Sequence, residues 1–396
     1  MKIMAVNSGS SSLKFQLLEM PEEKVISSGI VERIGIANSV FTLKYNGEKF
    51  VYTQDIKDHS VAVDLLFSKL IELNILKSFD EIKGVGHRVV QGGTYPDSAL
   101  IDEKVIQDID DLAELGPLHN PAHLIGIRAF MKLLPGVPNV AVFDTSFHQT
   151  MAPEAYLYGT PYEWYTEYKV RKYGAHGTSH RYVSNRCAEI LGKDIKDTKI
   201  IVAHIGNGAS LCAVDSGKSV DTSMGITPLG GIPMGTRTGD MDPAVLSFMG
   251  QKLNLNTAQL VEICNKKSGY LGISGVSSDS RDLDKGIKEG NKRCQLAVDV
   301  QAKRIVDFIA SYYVYMGGAD AIVFTAGIGE NAPFTRKNII DRLGVLGIKL
   351  DEEANIDCYG VERLISTPDS KIKVFVIPTN EEIMIARDVM RLGNLK

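Results

Sequence analysis

The sequence lacks long apolar runs, paired cysteines and a large excess of either charge. No apolar stretch approaches the roughly 18 residues needed to span a bilayer. The N-terminal apolar residues before Asn7 are too few for a signal peptide. None of the five cysteines forms a Cys-x-x-Cys pair, which favours a reducing compartment over a disulfide framework. We therefore expect a cytoplasmic protein without a membrane segment.

The near balance of basic and acidic residues does not indicate a basic surface for nucleic-acid binding. The chain has 44 basic and 48 acidic residues, with a formal net charge of -4. Apolar residues make up 44% and charged residues 23%, which excludes a disordered chain and a coiled coil. At 396 residues the chain is too long for one hydrophobic core, and its length predicts two domains.

Short apolar runs alternate with longer amphipathic stretches, and this pattern predicts an α/β protein. No proline-rich or low-complexity linker marks a domain boundary. The predicted strands cover residues 2–6, 13–18, 140–143, 200–203, 211–214, 321–325 and 374–377. The predicted helices cover residues 59–73, 103–115, 179–191, 256–265, 291–315 and 381–392.

Two similar hairpins open the two halves of the chain. In each, an apolar strand runs into a small polar turn and then into a second strand. Ser210 stands 198 positions after Ser12, and the same offset places Ala203 on Ala5. We interpret the similarity as a trace of an old duplication that produced two related domains.

The turns of these hairpins have the composition of phosphate-binding loops. Residues 7–14 offer backbone N–H groups, hydroxyls and the Lys14 ammonium, and residues 204–210 offer a similar small polar loop. A third glycine-rich loop, 327–331, follows a predicted strand. Each loop alone is more simply a connection between strands, but three at strand ends indicate a polyphosphate site. The P-loop pattern fails at Cys212, and the lone G-x-G-x-x-A match at Gly327 gives little support for a dehydrogenase.

Eight segments together resemble the acetate kinase family, in the family's order and over nearly the whole chain. They are Ile3–Lys14 (IMAVNSGSSSLK), Gly86–Gly93 (GHRVVQGG), Phe143–His148 (FDTSFH), Gly174–His180 (GAHGTSH), Ile201–Gly217 (IVAHIGNGASLCAVDSG), Pro233–Asp240 (PMGTRTGD), Gly327–Asn331 (GIGEN) and Pro378–Glu382 (PTNEE).

This resemblance implies two duplicated actin-like, ribonuclease H-like domains with a nucleotide cleft between them. The N-terminal, acetate-side domain would comprise residues 1–148 and a returning C-terminal helix, 383–396. The nucleotide-binding domain would comprise residues 149–382. The implied reaction is reversible phosphoryl transfer from ATP to acetate, giving acetyl phosphate and ADP. It would use Mg²⁺ or Mn²⁺, in a cytoplasmic homodimer.

The resemblance also assigns roles to individual residues. The implied catalytic residues are Arg88, Asp144, His176 and Arg237. The implied acetate pocket consists of Arg88, Val90, Leu118 and Pro228. The implied ATP ligands are Ser10, Ser12, Lys14, His204, Gly206, Asn207, Gly208, Asp279, Ser280, Arg281, Gly327, Ile328, Gly329, Glu330 and Asn331. The implied Mg²⁺ ligands are Asn7 and Glu381, with Glu382 as the alternative to Glu381.

Several alternatives stay open at this stage. Ala175 replaces a phenylalanine found in some relatives, so a wider pocket and propionate kinase activity are possible. An actin-like or chaperone-like ATPase would share the phosphate loops but would not need Arg88, Arg237 and His176 together. Asp144 either orients groups in the site or caps a helix. Acetate is already ionised at neutral pH, so we favour direct in-line transfer over a covalent phospho-carboxylate.

Overall fold

A computed structural model describes residues 1–116 and 119–395. Its strands are β1 (Lys2–Gly9), β2 (Ser12–Glu19), β3 (Lys24–Glu32), β4 (Ser39–Tyr45), β5 (Glu48–Gln54), β6 (Ile82–Val89), β7 (Ala99–Leu100), β8 (Asn139–Phe143), β9 (Lys199–Ile205), β10 (Ala209–Asp215), β11 (Lys218–Thr222), β12 (Ala321–Thr325), β13 (Arg363–Leu364) and β14 (Lys373–Val376). Its α-helices are α1 (His59–Glu72), α2 (Glu103–Asp111), α3 (Asn120–Leu133), α4 (Pro153–Tyr156), α5 (Tyr162–Tyr168), α6 (Gly177–Leu191), α7 (Ala244–Leu253), α8 (Thr257–Lys266), α9 (Gly269–Ser274), α10 (Ser280–Lys288), α11 (Lys292–Tyr315), α12 (Ala326–Asn331), α13 (Pro333–Ile340), α14 (Glu352–Ile356) and α15 (Glu381–Leu392).

The described residues form two compact units, each built on one mixed sheet. Unit 1 comprises Met1–Gln149 and the stretch from Asn380 onward, and unit 2 comprises Thr150–Thr379. The strand order is β5-β4-β3-β2-β1-β6-β8-β7 in unit 1 and β11-β10-β9-β12-β14-β13 in unit 2.

Both sheets contain the same five-stranded arrangement. In unit 1, β3, β2 and β1 pair antiparallel, and β6 and β8 then add in parallel. In unit 2, β11, β10 and β9 pair antiparallel, and β12 and β14 add in parallel. The predicted duplication of an α/β domain is confirmed by this shared order.

The predicted alignment of the two hairpins is correct for their first strands and wrong for their second strands. Val6 pairs with His87 on the parallel neighbour, and His204, 198 positions later, pairs with Thr325 in the same way. Eight residues separate Val6 from its partner Phe15, whereas residues 205–209 separate His204 from Ser210. The unit 2 hairpin is therefore shorter by three residues, and Ser210 corresponds to Phe15, not to Ser12.

Central strands of each sheet are covered on both faces, which explains their continuous apolar sequences. Every residue of β8 and β12 is buried, and so is every residue of β9 after Lys199. All seven predicted strands are present. The β3–β5 meander was not predicted, because its exposed residues interrupt any apolar run.

The predicted helices are also present, although α2 gives way to a 3₁₀ turn at Leu112. The longest, α11, begins after Asn291, whose side chain accepts hydrogen bonds from the backbone N–H groups of Arg293 and Cys294. Within residues 1–116 and 119–395, no helix combines the length and apolar character needed to cross a bilayer.

Helix α15 packs against one face of the unit 1 sheet through Ile385 and Val389. The close packing of α15 on the sheet requires a glycine at position 86 of β6. A Cβ atom added to Gly86 would lie 2.2 Å from Cγ2 of Ile385 and 2.8 Å from Cγ2 of Val389. The helix therefore lies directly on the backbone of the sheet.

Replacing Gly86 with alanine should destabilise unit 1 by about 1–3 kcal/mol, because the added methyl group overpacks the contact with α15. The measurement is the melting temperature of the whole protein by calorimetry. Gly344→Ala is the matched control, since an added Cβ there meets nothing within 4 Å. Equal melting temperatures for the two variants would show that α15 does not constrain this position.

Candidate active site

Arg88 and Asp144 lie together at the carboxyl edge of the unit 1 sheet. The strand register brings these two residues together, because Arg88 on β6 pairs with Val142 on the parallel strand β8, and Asp144 directly follows β8. Nε of Arg88 donates to Oδ1 of Asp144 at 3.0 Å, and Nη2 donates to Oδ2 at 2.7 Å. The Asp144 side chain is 1% exposed. Its carboxylate thus binds the Arg88 guanidinium through two of its donors.

The Arg88 guanidinium also lies near a second carboxylate, and one of its own donor edges stays open. Oε2 of Glu381 lies 3.5 Å from Nε. Burial opposes the positive charge, but Asp144 and Glu381 outweigh it and raise the pKa of Arg88 above its ordinary value. Among the described residues, Nη1 of Arg88 makes no hydrogen bond. The geometry therefore holds the guanidinium from one side and leaves Nη1 to meet a further anion.

Charged side chains of unit 1 line one small cavity together with Arg88. The charged ones are Lys14 on β2 and Glu381 and Glu382 at the start of α15, and the neutral amide of Asn7 on β1 lies with them. Asn7 and Lys14 are cross-strand partners in the hairpin. Asn380 caps α15 by accepting a hydrogen bond from the Ile383 N–H, which fixes the helix start beside the cavity. Burial raises the pKa of Glu382.

The hairpin turn itself carries Ser10 and Ser11, between the paired residues Gly9 and Ser12. Ser10 is exposed, and Ser12 is half-buried. The ring Nε2 of His59 lies 2.7 Å from the Gly9 carbonyl oxygen, so the start of α1 anchors the tip of the hairpin.

The residues predicted to line an apolar acetate pocket fall in different parts of the chain. Val90 directly follows β6 in unit 1 and is half-buried. Leu118 lies outside the described residues. Pro228 lies in unit 2, where its carbonyl oxygen accepts a hydrogen bond from Nη1 of Arg237 at 3.2 Å.

In unit 2, the turn between β9 and β10 is a tight loop of small residues. The Gly206 N–H donates to the Gly208 carbonyl at 3.1 Å. A Cβ atom built on Gly208 would lie 3.5 Å from Nη1 of Arg237 and 3.6 Å from Nε2 of His176. The structure thus brings Arg237 and His176 together over the Gly208 backbone.

His176 occupies a strained backbone position at the start of α6. Its φ of 61° and ψ of 24° are left-handed, a conformation that costs a non-glycine residue about 1–2 kcal/mol. Its ring stacks on that of His204, with centroids 4.1 Å apart and an interplanar angle of 15°. Its Nδ1 lies 2.7 Å from Oγ of Ser210. These contacts fix the ring with Nε2 directed toward Gly208.

Arg237 differs from Arg88 because no described carboxylate forms an ion pair with it. Its loop is held by main-chain bonds, from the Met234 N–H to the Arg237 carbonyl and from the Tyr270 N–H to the Met234 carbonyl. Burial lowers the pKa of Arg237, although the guanidinium remains charged at neutral pH. A half-buried cation without a carboxylate partner is suited to an incoming anion.

Beside these residues lies an open groove of ≈ 620 Å³, within the range typical of small-molecule sites. Its lining comprises Asn207, Ser278, Asp279, Ser280, Arg281, Asp284, Gly327, Ile328, Asn331 and Ala332. Asp279 caps α10 and binds the side chain of Arg281 at 2.6 Å. The structure therefore brings seven of the fifteen predicted ATP ligands, from three separate segments, into one groove, and the other eight do not line it.

The predicted loop 327–331 is a short helix, α12, that follows β12 directly. Ala326 opens it with a φ of 66°. Oε1 of Glu330 accepts hydrogen bonds from the N–H groups of Ala326, at 2.8 Å, and Thr379, at 3.1 Å. The Glu330 carboxylate thus stabilises this strained turn instead of pointing into the groove.

A model of the acetokinase family matches residues 2–387. The chain belongs to the acetokinase family. It is 60% identical over 396 residues to the acetate kinase of Acholeplasma laidlawii, covering 100% of both chains. The crystal structure of Porphyromonas gingivalis acetate kinase superposes with a TM-score of 0.95 at 47% identity, covering 99% of each chain. A propionate kinase from Francisella tularensis superposes with a TM-score of 0.93 at 40% identity, again covering 99% of each chain.

Sequence analysis missed several residues that hold this acetokinase site in place. They are His59, Ser179 and Ser210, each in hydrogen-bond contact with a predicted loop or histidine. His176 and His180 stand at i, i+4 spacing, and both rings contact the Ser210 hydroxyl. Ser210 lies 34 residues after His176 and 30 after His180, so no local spacing could reveal this shared partner.

Arg88→Met should destabilise the acetokinase fold by about 3–5 kcal/mol, because it leaves the buried Asp144 carboxylate without its cation. The same change in an Asp144→Asn background should cost much less. Urea unfolding of the four members of this double-mutant cycle measures the coupling. Arg304→Met, at a half-exposed position on α11, is the control and should stay within about 0.5 kcal/mol of the parent. Equal costs in both backgrounds would contradict the assigned pairing.

Proposed function

We propose that the protein catalyses reversible transfer of the γ-phosphoryl group of ATP to acetate, giving acetyl phosphate and ADP. The whole-length similarity to acetate kinases carries this proposal. The two arginines support it, because the attacking carboxylate and the phosphate are both anions and guanidinium groups bind both.

Arg88 would bind the acetate carboxylate through its open Nη1 edge. Asp144 would hold the guanidinium in place through the two hydrogen bonds to Nε and Nη2. Acetate has a pKa near 4–5 by analogy with Asp and Glu, so the reaction needs no general base. Val90 and Leu118 would contact the methyl group, together with Pro228.

Arg237 and His176 would bind the transferring phosphoryl group, since both converge over Gly208. An acetate oxygen forms a bond to the γ-phosphorus while the bond to the β,γ-bridging oxygen breaks, and ADP leaves with that electron pair. Phosphoryl transfer is catalysed mainly by positioning and charge stabilisation, so direct in-line transfer suits this pair.

The groove of unit 2 would bind the nucleoside, with Asp279, Ser280 and Arg281 on one side and α12 on the other. The phosphates would lie along the small polar turns. These turns contribute Ser10, Ser12 and Lys14 from the first hairpin, and His204, Gly206, Asn207 and Gly208 from the second. Gly327, Ile328, Gly329 and Asn331 would contact the nucleotide through α12, with Glu330 fixing its start.

The oxygen donors of Asn7 and Glu381 would hold Mg²⁺, with Glu382 as the alternative carboxylate. They line one cavity, and hard oxygen ligands suit Mg²⁺ or Mn²⁺. When bound, the ion neutralises phosphate charge. Both carboxylates lie on the first turn of α15, whose capping by Asn380 fixes their position.

Propionate kinase activity is the second candidate function. Ala175, next to His176, has a small side chain, and the Francisella tularensis propionate kinase is a structural neighbour. As the family resemblance implies, we also propose an acetate side in unit 1, a nucleotide side in unit 2, a cytoplasmic location and a homodimer.

Acetate should strongly stimulate ADP formation from ATP, with acyl phosphate trapped as its hydroxamate. We expect kcat/KM to fall by about 10–200-fold for each added methylene, in the order acetate, propionate, butyrate, because the pocket is shaped for a methyl group. Propionate ahead of acetate would favour the second candidate. ADP formation that ignores all three acids would indicate an ATPase instead.

Arg237→Gln should lower kcat/KM by about 100-fold or more, comparable to the loss of one transition-state donor. The melting temperature should not fall, because no carboxylate loses its cation. Arg304→Gln is the control for a lost surface charge. A stable Arg237→Gln variant with nearly normal kcat/KM would remove this residue from the reaction.

A further inference from the structure

Ser210 is a fully buried hydroxyl between two histidines in unit 2. Its Oγ lies 2.7 Å from Nδ1 of His176 and 2.8 Å from Nε2 of His180. The Ala175 carbonyl oxygen is more distant, at 3.4 Å. The residue lies on β10, and both rings belong to the segment that enters α6.

Counting protons limits how these three groups can bond. A serine hydroxyl has one proton to donate and can accept two hydrogen bonds. If Ser210 donates to Nδ1 of His176, then His180 must donate its Nε2–H to Ser210. In that arrangement a neutral His176 carries its own proton on Nε2. If Ser210 instead donates to Nε2 of His180 or to the Ala175 carbonyl, it accepts from Nδ1–H of His176, and a neutral His176 then has a lone pair on Nε2.

The surroundings of His176 favour its neutral form. Its ring stacks on the ring of His204 at 4.1 Å, so two charged imidazoles there would repel each other. Nε2 of His176 and Nη1 of the charged Arg237 also approach the same point over Gly208. A further positive charge at His176 is therefore disfavoured, and a neutral ring donates from Nε2 only if Nδ1 accepts.

We propose that Ser210 is a positioning residue that donates to Nδ1 of His176 and accepts from Nε2–H of His180. This relay fixes neutral His176 as the tautomer with its proton on Nε2, directed toward Gly208. The catalytic use of that proton rests on the function proposed above, in which Nε2–H binds the transferring phosphoryl group. His180 thereby acts on the reaction through Ser210, without contacting substrate.

The relay also accounts for the backbone strain at His176. A left-handed residue at the start of a helix persists when surrounding contacts over-determine it. The Ser210 hydroxyl and the His204 ring hold the imidazole on two sides. These two contacts fix the orientation of the His176 side chain, whose backbone has the unusual φ of 61°.

The direct test is the tautomer of His176 in the ligand-free protein. Side-chain ¹H–¹⁵N correlation spectra of ¹⁵N-histidine-labelled protein distinguish protonated from unprotonated ring nitrogens, and His176→Asn identifies the signals. We expect a protonated Nε2 and an unprotonated Nδ1 near neutral pH. A proton on Nδ1 alone, or on both nitrogens, would overturn the proposal.

Removing the hydroxyl provides the second test. Ser210→Ala should allow the two His176 tautomers to mix. It should lower kcat on the order of 10–100-fold, while the KM values for ATP and acetate change only slightly. Ser184→Ala, a buried serine on α6 whose hydroxyl donates to the Arg181 carbonyl, is the matched control. Unchanged tautomer signals or a normal kcat in Ser210→Ala would contradict the relay.

The two tests separate this inference from the proposed function. Wild-type protein that forms no acyl phosphate from acetate or propionate would refute the proposed reaction, whatever the tautomer. Wild-type protein that forms acetyl phosphate with a proton on Nδ1 of His176 would refute the relay alone.

Discussion

Repulsion between two anions is the constraint that organises this protein. A carboxylate must approach a phosphoryl group that is itself negatively charged, and in the proposed reaction two arginines in opposite electrostatic situations would offset this repulsion. Arg88 is tied to the buried Asp144 carboxylate, which fixes its orientation and leaves a donor edge. Arg237 is held by its own loop and has no carboxylate partner among residues 1–116 and 119–395. Asp144 therefore fixes the orientation of Arg88, whereas no described carboxylate neutralises the charge of Arg237.

The duplicated sheet supplies both environments from one architecture. Each unit places a hairpin beside two parallel strands, so each presents a turn and several strand ends at one edge. The first hairpin extends three pairs beyond Val6, which sets Lys14 opposite Asn7. The second closes after one pair beyond His204 and leaves a loop of glycines and asparagine. A difference in hairpin length thus gives one unit a charged cavity and the other a bare backbone turn.

Sequence patterns predicted the fold well where local composition determines the outcome. Buried strands such as β9 and β12 have continuous apolar sequences, and the small polar turns stand out between them. The three-residue difference between the hairpins was not predictable, because strand register depends on pairing that spans each turn. The clustering of the groove residues required the tertiary fold. The family resemblance, and not spacing, supplied their expected roles.

Partners of predicted residues were the least predictable part of the site. The Glu330 carboxylate accepts from the N–H of Ala326, four residues away, and from the N–H of Thr379, 49 residues away, and the second bond has no local sequence signal. Ser210 was treated as one small residue of a turn, although its hydroxyl contacts two histidines more than 29 residues away. Such hydrogen bonds depend on side-chain direction in the packed core, which neither composition nor periodicity encodes.

Helix α15 has a consequence for the order in which the chain acquires its structure during synthesis. It covers Ile3, Ala5, Val140 and Val142 of the unit 1 sheet, yet the ribosome makes it after the whole of unit 2. Unit 2 is continuous in sequence and can form as soon as Thr379 has emerged. The earlier-made strands of unit 1 keep an apolar face uncovered through that interval. The half of the protein that is translated first is therefore completed last, and chaperones have the longest access to it.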